Sequence, residues 1–154
     1  MTADPCNGWP MVKIAVDGVT YFDGEIDCHS QIKTDDYKFV EFEHELTEGL
    51  HQLTIEHYGK DERYHHVWDN QSKKILESRC PHIKSIEIDE IDIGPLLYSG
   101  IYTPEYPTKW YHEQKESNGK APDAEVRMWS LGWNGKWRLD FQSPFYMWLL
   151  ENLY

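Results

Sequence analysis

Apolar and polar residues alternate with a period of two in several short runs of this chain, and helix-period runs are almost absent. Met11–Val16 alternates and ends at Asp17 and Gly18, a turn pair, so a first strand is predicted there, with residues 19–22 returning from the turn. Residues 37–44 alternate again. Gly49–Tyr58 follows, with Leu53 and Ile55 on one face. Residues 83–93 form the clearest strand pattern. Within it Ile86 and Ile88 differ in parity from Ile91 and Ile93, which predicts a bulge or bend near Asp89 and Glu90, because strict alternation would turn one pair outward.

The densest aromatic stretch comes late. Asn134 and Gly135 stand between two apolar-rich runs that carry Trp129, Leu131, Trp133, Trp137, Leu139 and Phe141. Asn-Gly in such a setting is a strong hairpin signal, since both residues tolerate positive φ. A two-residue turn would set Trp133 against Lys136 and put tryptophans on both faces. A three-residue turn would set Trp133 against Trp137 and gather the large groups on one face.

Strands at intervals of about ten residues, separated by turn signals, predict an all-β protein: a single two-sheet β-sandwich, jelly-roll-like, over residues 1–154. Residues 102–126 hold Pro104, Pro107, Asn118, Gly119 and Pro122 without a period, and read as a long surface loop. Ser143 and Pro144 resemble a helix cap followed by proline, so residues 144–153 form either a short closing helix or a final buried strand.

Composition narrows the function. The chain has 154 residues, enough for one domain with a sizeable core. Seven Trp and ten Tyr argue for an ordered fold despite a mean hydropathy of -0.72. A net charge of -12 repels a phosphate backbone, so nucleic acid is not an expected partner. No run approaches the roughly 18 apolar residues of a membrane helix, and the N-terminus lacks a basic-then-apolar signal segment. Cys6, Cys28 and Cys80 are odd in number and widely spaced, which reads as reduced thiols made in a cytoplasm.

Candidate chemistry is sparse. Oxygen-rich clusters occur at Asp35–Asp36, Asp61–Glu62, Asp69–Asn70 and Asp89–Glu90 with Asp92; Asp61, Asp69 and Asp89 are the candidate oxygen ligands for a loop-built calcium site, the rival being solvated turns and strand edges. His44, His51, His57, His65 and His66 lack the i, i+2 spacing of a strand-borne zinc site and read as exposed. There is no Gly-x-Ser-x-Gly elbow, no phosphate-cradling glycine loop and no carboxylate pair that stands out, so no catalytic residue is assigned and a hydrolase is the least favoured reading. The remaining clue is aromatic: Tyr102, Tyr106, Trp110, Tyr111 and Trp133 are candidates for contact with a protein partner or a glycan, unless they fold back to cap the core.

Four segments together carry a resemblance: Ile86-Glu-Ile-Asp-Glu-Ile-Asp-Ile-Gly94, Tyr102-Thr-Pro-Glu-Tyr-Pro107, Leu131-Gly-Trp-Asn-Gly-Lys-Trp-Arg-Leu-Asp-Phe141 and Pro144-Phe-Tyr-Met-Trp-Leu-Leu-Glu-Asn-Leu153. They resemble small proteins of tailed marine bacteriophages, especially myoviruses, over roughly the second half of the chain. That group is similar in pattern to calcium-dependent carbohydrate-binding modules. The resemblance implies a non-enzymatic virion protein, made in the host cytoplasm, that decorates or joins parts of a particle as an oligomer or in a symmetric assembly. Its partners would be other virion proteins, with a calcium-dependent glycan-binding module as the alternative. No family site residue carries over to this chain.

Overall fold

The structure is a computed structural model, and it describes residues 1–30, 37–72 and 74–153. It is all-β and sandwich-like, with a short helix at its C-terminal end. The principal layer is an antiparallel five-stranded sheet. Its strands are β2 (Met11–Val16), β3 (Val19–Glu25), β4 (Gly49–Tyr58), β10 (Ile101–Pro104) and β11 (Gly135–Ser143), in the order β10-β11-β4-β2-β3. Three two-stranded ribbons surround it: β1 (Thr2–Asp4) with β7 (Cys80–His82), β5 (His66–Asp69) with β6 (Lys74–Ser78), and β8 (Glu87–Ile88) with β9 (Ile91–Asp92).

Period-two patterning builds the sheet's inner face. On β11 Trp137, Leu139 and Phe141 point inward while Lys136, Asp140 and Gln142 face water. Register carries the pattern across the sheet: Trp137 lies opposite Ile55, Leu139 opposite Leu53, and Ile14 opposite Ile55 on its other side. Burying each such side chain contributes about 1.5–3 kcal/mol. Ala3, Ile26, Ile83, Ile93, Leu96 and Leu131 close the core from the second layer. Phe145 and Trp148 of α3 (Phe145–Leu153) seat on Phe141, with ring centroids 6.2 and 6.4 Å away.

The turn after β2 forms as predicted, with Asp17 (φ 50°) and Gly18 (φ 81°) joining β2 to β3. Four expectations are corrected. The break in isoleucine parity does mark a bend at Asp89 (φ 51°) and Glu90 (φ 62°), but the bend is a full reversal, so residues 83–93 hold a two-residue hairpin loop in place of one strand. Residues 37–44 keep the predicted alternation of exposure, which runs on to residue 46, with Val40 and Phe42 packed toward the core, but they join no sheet among the described residues. The segment 102–126 contains a helix, α2 (Thr108–Asn118), which ends at Gly119 in the left-handed region (φ 67°). Last, Asn134 and Gly135 make no hairpin. β11 pairs with β10 and β4, while residues 129–134 run outside the sheet and meet Pro81, His82 and Ile83 instead. Gly135 is required by close approach, because a Cβ there would stand 2.4 Å from the Thr103 carbonyl oxygen.

Candidate functional site

The predicted contact residues separate into core and surface. Tyr102 belongs to the core: it is buried, lies opposite Trp137, and its hydroxyl donates to the Trp133 carbonyl and accepts from the Trp133 N–H at 3.1 Å. Tyr111 stands apart, edge-on to His112. The other three converge. Tyr106 stacks on Trp110 with centroids 5.1 Å apart, and Trp110 meets Trp133 at 5.9 Å. All three are half-buried, so the group is a platform at the surface and not part of the dry core.

Each member is held from a different part of the chain. Pro107 precedes α2 and suits its entry, and Trp110 projects from the first turn. The Tyr106 hydroxyl donates to the Asp123 carbonyl at 2.7 Å and ties the strand side of α2 to the segment after it. Trp133 is fixed by its neighbour. The Lys60 N–H donates to Asn134 Oδ1 at 2.9 Å, and Asn134 Nδ2 donates to the Lys60 carbonyl at 2.8 Å. The Glu105 N–H completes the clamp at the Asn134 carbonyl, 2.7 Å away.

Beneath the platform lies an ammonium. Lys60 Nζ sits 4.6 Å from the centre of the Trp133 ring, donates to Ser78 Oγ at 2.6 Å and also donates to the Gly132 carbonyl. Only 8% of Lys60 is exposed, and none of these partners is a carboxylate. Burial pulls its pKa down to about 8. His66 lies 5.3 Å from Trp133 and 3.3 Å from the same Ser78 hydroxyl, and burial together with the Lys60 charge lowers its pKa. Beside Trp110 opens a shallow cleft of about 240 Å³ bounded by Gln114, Asn118, Lys120 and Asp123.

The candidate metal ligands are spent locally. Asp61 caps α1 (Glu62–His65), accepts from the Arg63 N–H at 3.0 Å and pairs with its guanidinium at 2.7 Å; these bonds hold its pKa at about 2. Asp69 closes its own turn through the Gln71 N–H and Ser72 Oγ. Asp89 is in the β8–β9 reversal. Among the described residues no three His, Cys, Asp or Glu side chains form a group able to hold a metal, so the structure does not gather Asp61, Asp69 and Asp89 at one place. Asp35 and Asp36 lie outside the described residues.

Two histidines expected at the surface are inside. His57 is fully buried, donates from Nδ1 to the Leu131 carbonyl at 2.7 Å, and burial brings its pKa down to about 4. His51 is buried between the Thr47 carbonyl (2.5 Å) and the Asp17 carboxylate (2.6 Å).

The sequence marks Tyr106 and Trp110 as aromatics in a proline-rich polar segment and Trp133 as part of the densest aromatic stretch, but it gives no sign of Lys60 and reads His66 only as an exposed histidine, because no local motif connects either to Trp133. Comparison with protein-family models, curated proteins and solved structures finds no match for this chain.

Proposed function

We propose that this chain is a non-catalytic binding module of a tailed-phage particle, and that the face formed by Tyr106, Trp110 and Trp133 meets its protein partner. One observation carries the reading: three half-exposed aromatic rings from separate segments are locked into a stack that the core does not need. Interfaces concentrate their binding energy in Trp and Tyr anchors that are rigid before contact, because less side-chain freedom is then lost on docking. The net charge of -12 adds attraction to a basic partner surface. The phage setting rests on the likeness of the segments around Ile86, Tyr102, Leu131 and Pro144 to tailed-phage proteins.

The site is tested with tagged wild-type and Trp110→Ala chains incubated with purified particles lacking the chain. Wild type should bind saturably, and Trp110→Ala should bind at least about 10-fold more weakly, since truncating an interface tryptophan costs upward of about 1.4 kcal/mol. The far-ultraviolet spectrum of the variant should stay unchanged. Equal binding by the two chains would remove the platform from the interface.

A further inference from the structure

A second aromatic surface lies away from the platform. A cleft of about 470 Å³ is walled by Tyr98 and Trp129, floored by Ile83 and Leu97, and edged by Asp4 and His82. Its volume falls in the range of about 300–1,000 Å³ usual for small-molecule sites. Tyr98 and Trp129 meet edge to face at 4.9 Å, yet they stay 53% and 42% exposed, so ring surface remains open to a ligand.

The polar edge is built with fixed geometry. β1 and β7 pair so that Thr2 lies opposite His82, and an isolated bridge sets His82 opposite Ser130. His82 Nε2 lies 2.8 Å from Asp4 Oδ2, and Nδ1 lies 2.7 Å from Ser130 Oγ. A carboxylate only accepts, so Nε2 carries the proton toward Asp4, and in the neutral ring Nδ1 accepts from the Ser130 hydroxyl. Ser30 Oγ donates to the other oxygen of Asp4. Among the described residues these bonds fill two of about four acceptor positions on the Asp4 carboxylate, which leaves acceptor capacity toward the cleft.

Ser130, His82 and Asp4 follow the bonding order of a nucleophilic triad, but Ser130 is not among the residues that line the cleft. The array therefore holds Asp4 still. A fixed carboxylate accepts a pair of adjacent hydroxyls well, and an aromatic face attracts the weakly positive C–H groups of a sugar ring. The acidity of the chain and Asp4 itself disfavour an anionic ligand. Lys84 at the edge reduces the pull on a cation.

We propose that this cleft binds a neutral saccharide, a mono- or disaccharide unit stacked on the Tyr98 and Trp129 rings with adjacent hydroxyls donating to Asp4. This site is independent of the Tyr106–Trp110–Trp133 face and of the particle reading. The test is a nuclear magnetic resonance titration of the full chain, following the Trp129 indole and the amides of Asp4 and Ser30. The probes are maltose, cellobiose, lactose and diacetylchitobiose at up to about 20 mM, a concentration that reveals millimolar affinity. At least one sugar should shift these signals saturably. Tyr98→Ala and Trp129→Ala should each weaken binding about 10-fold, equivalent to about 1.4 kcal/mol, and Asp4→Asn at least as much. Tyr98 is exposed, so its variant keeps the test valid if Asp4→Asn fails to fold. No shift with any of the four sugars overturns the proposal. So does binding that survives Trp129→Ala but is lost in Trp110→Ala, which would put the sugar on the platform instead.

Discussion

His51 and His57 sit three strand steps apart on the inward face of β4, yet the structure drives them in opposite directions. Both nitrogens of His51 face acceptors, the Thr47 carbonyl and the Asp17 carboxylate, which favours the doubly protonated ring and raises its pKa. Its contribution to stability is full below about pH 6.5 and fades as pH rises through the raised value. His57 has its proton on Nδ1, while Nε2 is buried without a hydrogen-bond partner among the described residues. A second proton there would be an uncompensated buried charge. With its pKa at about 4 in the fold and about 6.5 when unfolded, the unfolded chain takes up the proton first as pH falls. Stability from His57 is thus full above about pH 6.5 and is lost as pH drops toward 4. In urea unfolding, the wild type should lose about 2 kcal/mol more than the His57→Asn variant between pH 7.5 and pH 5, since the opposing change at His51 is common to both chains. Parallel pH curves for the two chains would contradict the assignment.

Gly100, like Gly135, is a residue whose identity the packing dictates. A Cβ at this position would stand 2.1 Å from the Trp137 ring, which is fully buried and has no room to retreat. Gly100→Ala should lower the stability by about 3 kcal/mol, the upper end for overpacking a core, as read from the urea midpoint. An unchanged midpoint would mean that Trp137 is not wedged against this backbone.

At the scale of elements, what could be read from the sequence was the face of each strand more than its partner. β2, β3 and β4 follow from alternation and from Asp17–Gly18, since each of these signals is local. The inward set Trp137, Leu139 and Phe141 was equally plain. The pairing of β11 was not, because Asn134 works through distant bonds to Lys60, and Gly135 makes room for Thr103. Neither residue serves the local turn that Asn-Gly suggested. α2 escaped notice because it buries no residue fully and only Trp110, Tyr111 and Gln114 are partly covered, which leaves no helical stripe. Two of the five side chains at the candidate site, Lys60 and His66, were hidden for another reason, since only the fold brings them to Trp133. An aromatic in a polar run signals contact, but only the fold decides that Tyr102 turns inward while Tyr106 and Trp110 come to meet Trp133.

The whole molecule combines a strongly acidic surface with apolar groups left in water. α3 seats Phe145 and Trp148 on the core and leaves Tyr146, Met147, Leu150 and Leu153 exposed, and the β5–β6 ribbon exposes Trp68, Ile75 and Leu76. A monomer gains nothing from these side chains, whereas an assembly would cover them. The central claim, that the chain works by attachment to a particle, is met most directly by quantitative mass spectrometry of purified phage particles. The account predicts the chain at a copy number set by the particle's symmetry, retained after washing at high salt because its contacts are aromatic. Particles of full infectivity that lack the chain would contradict it.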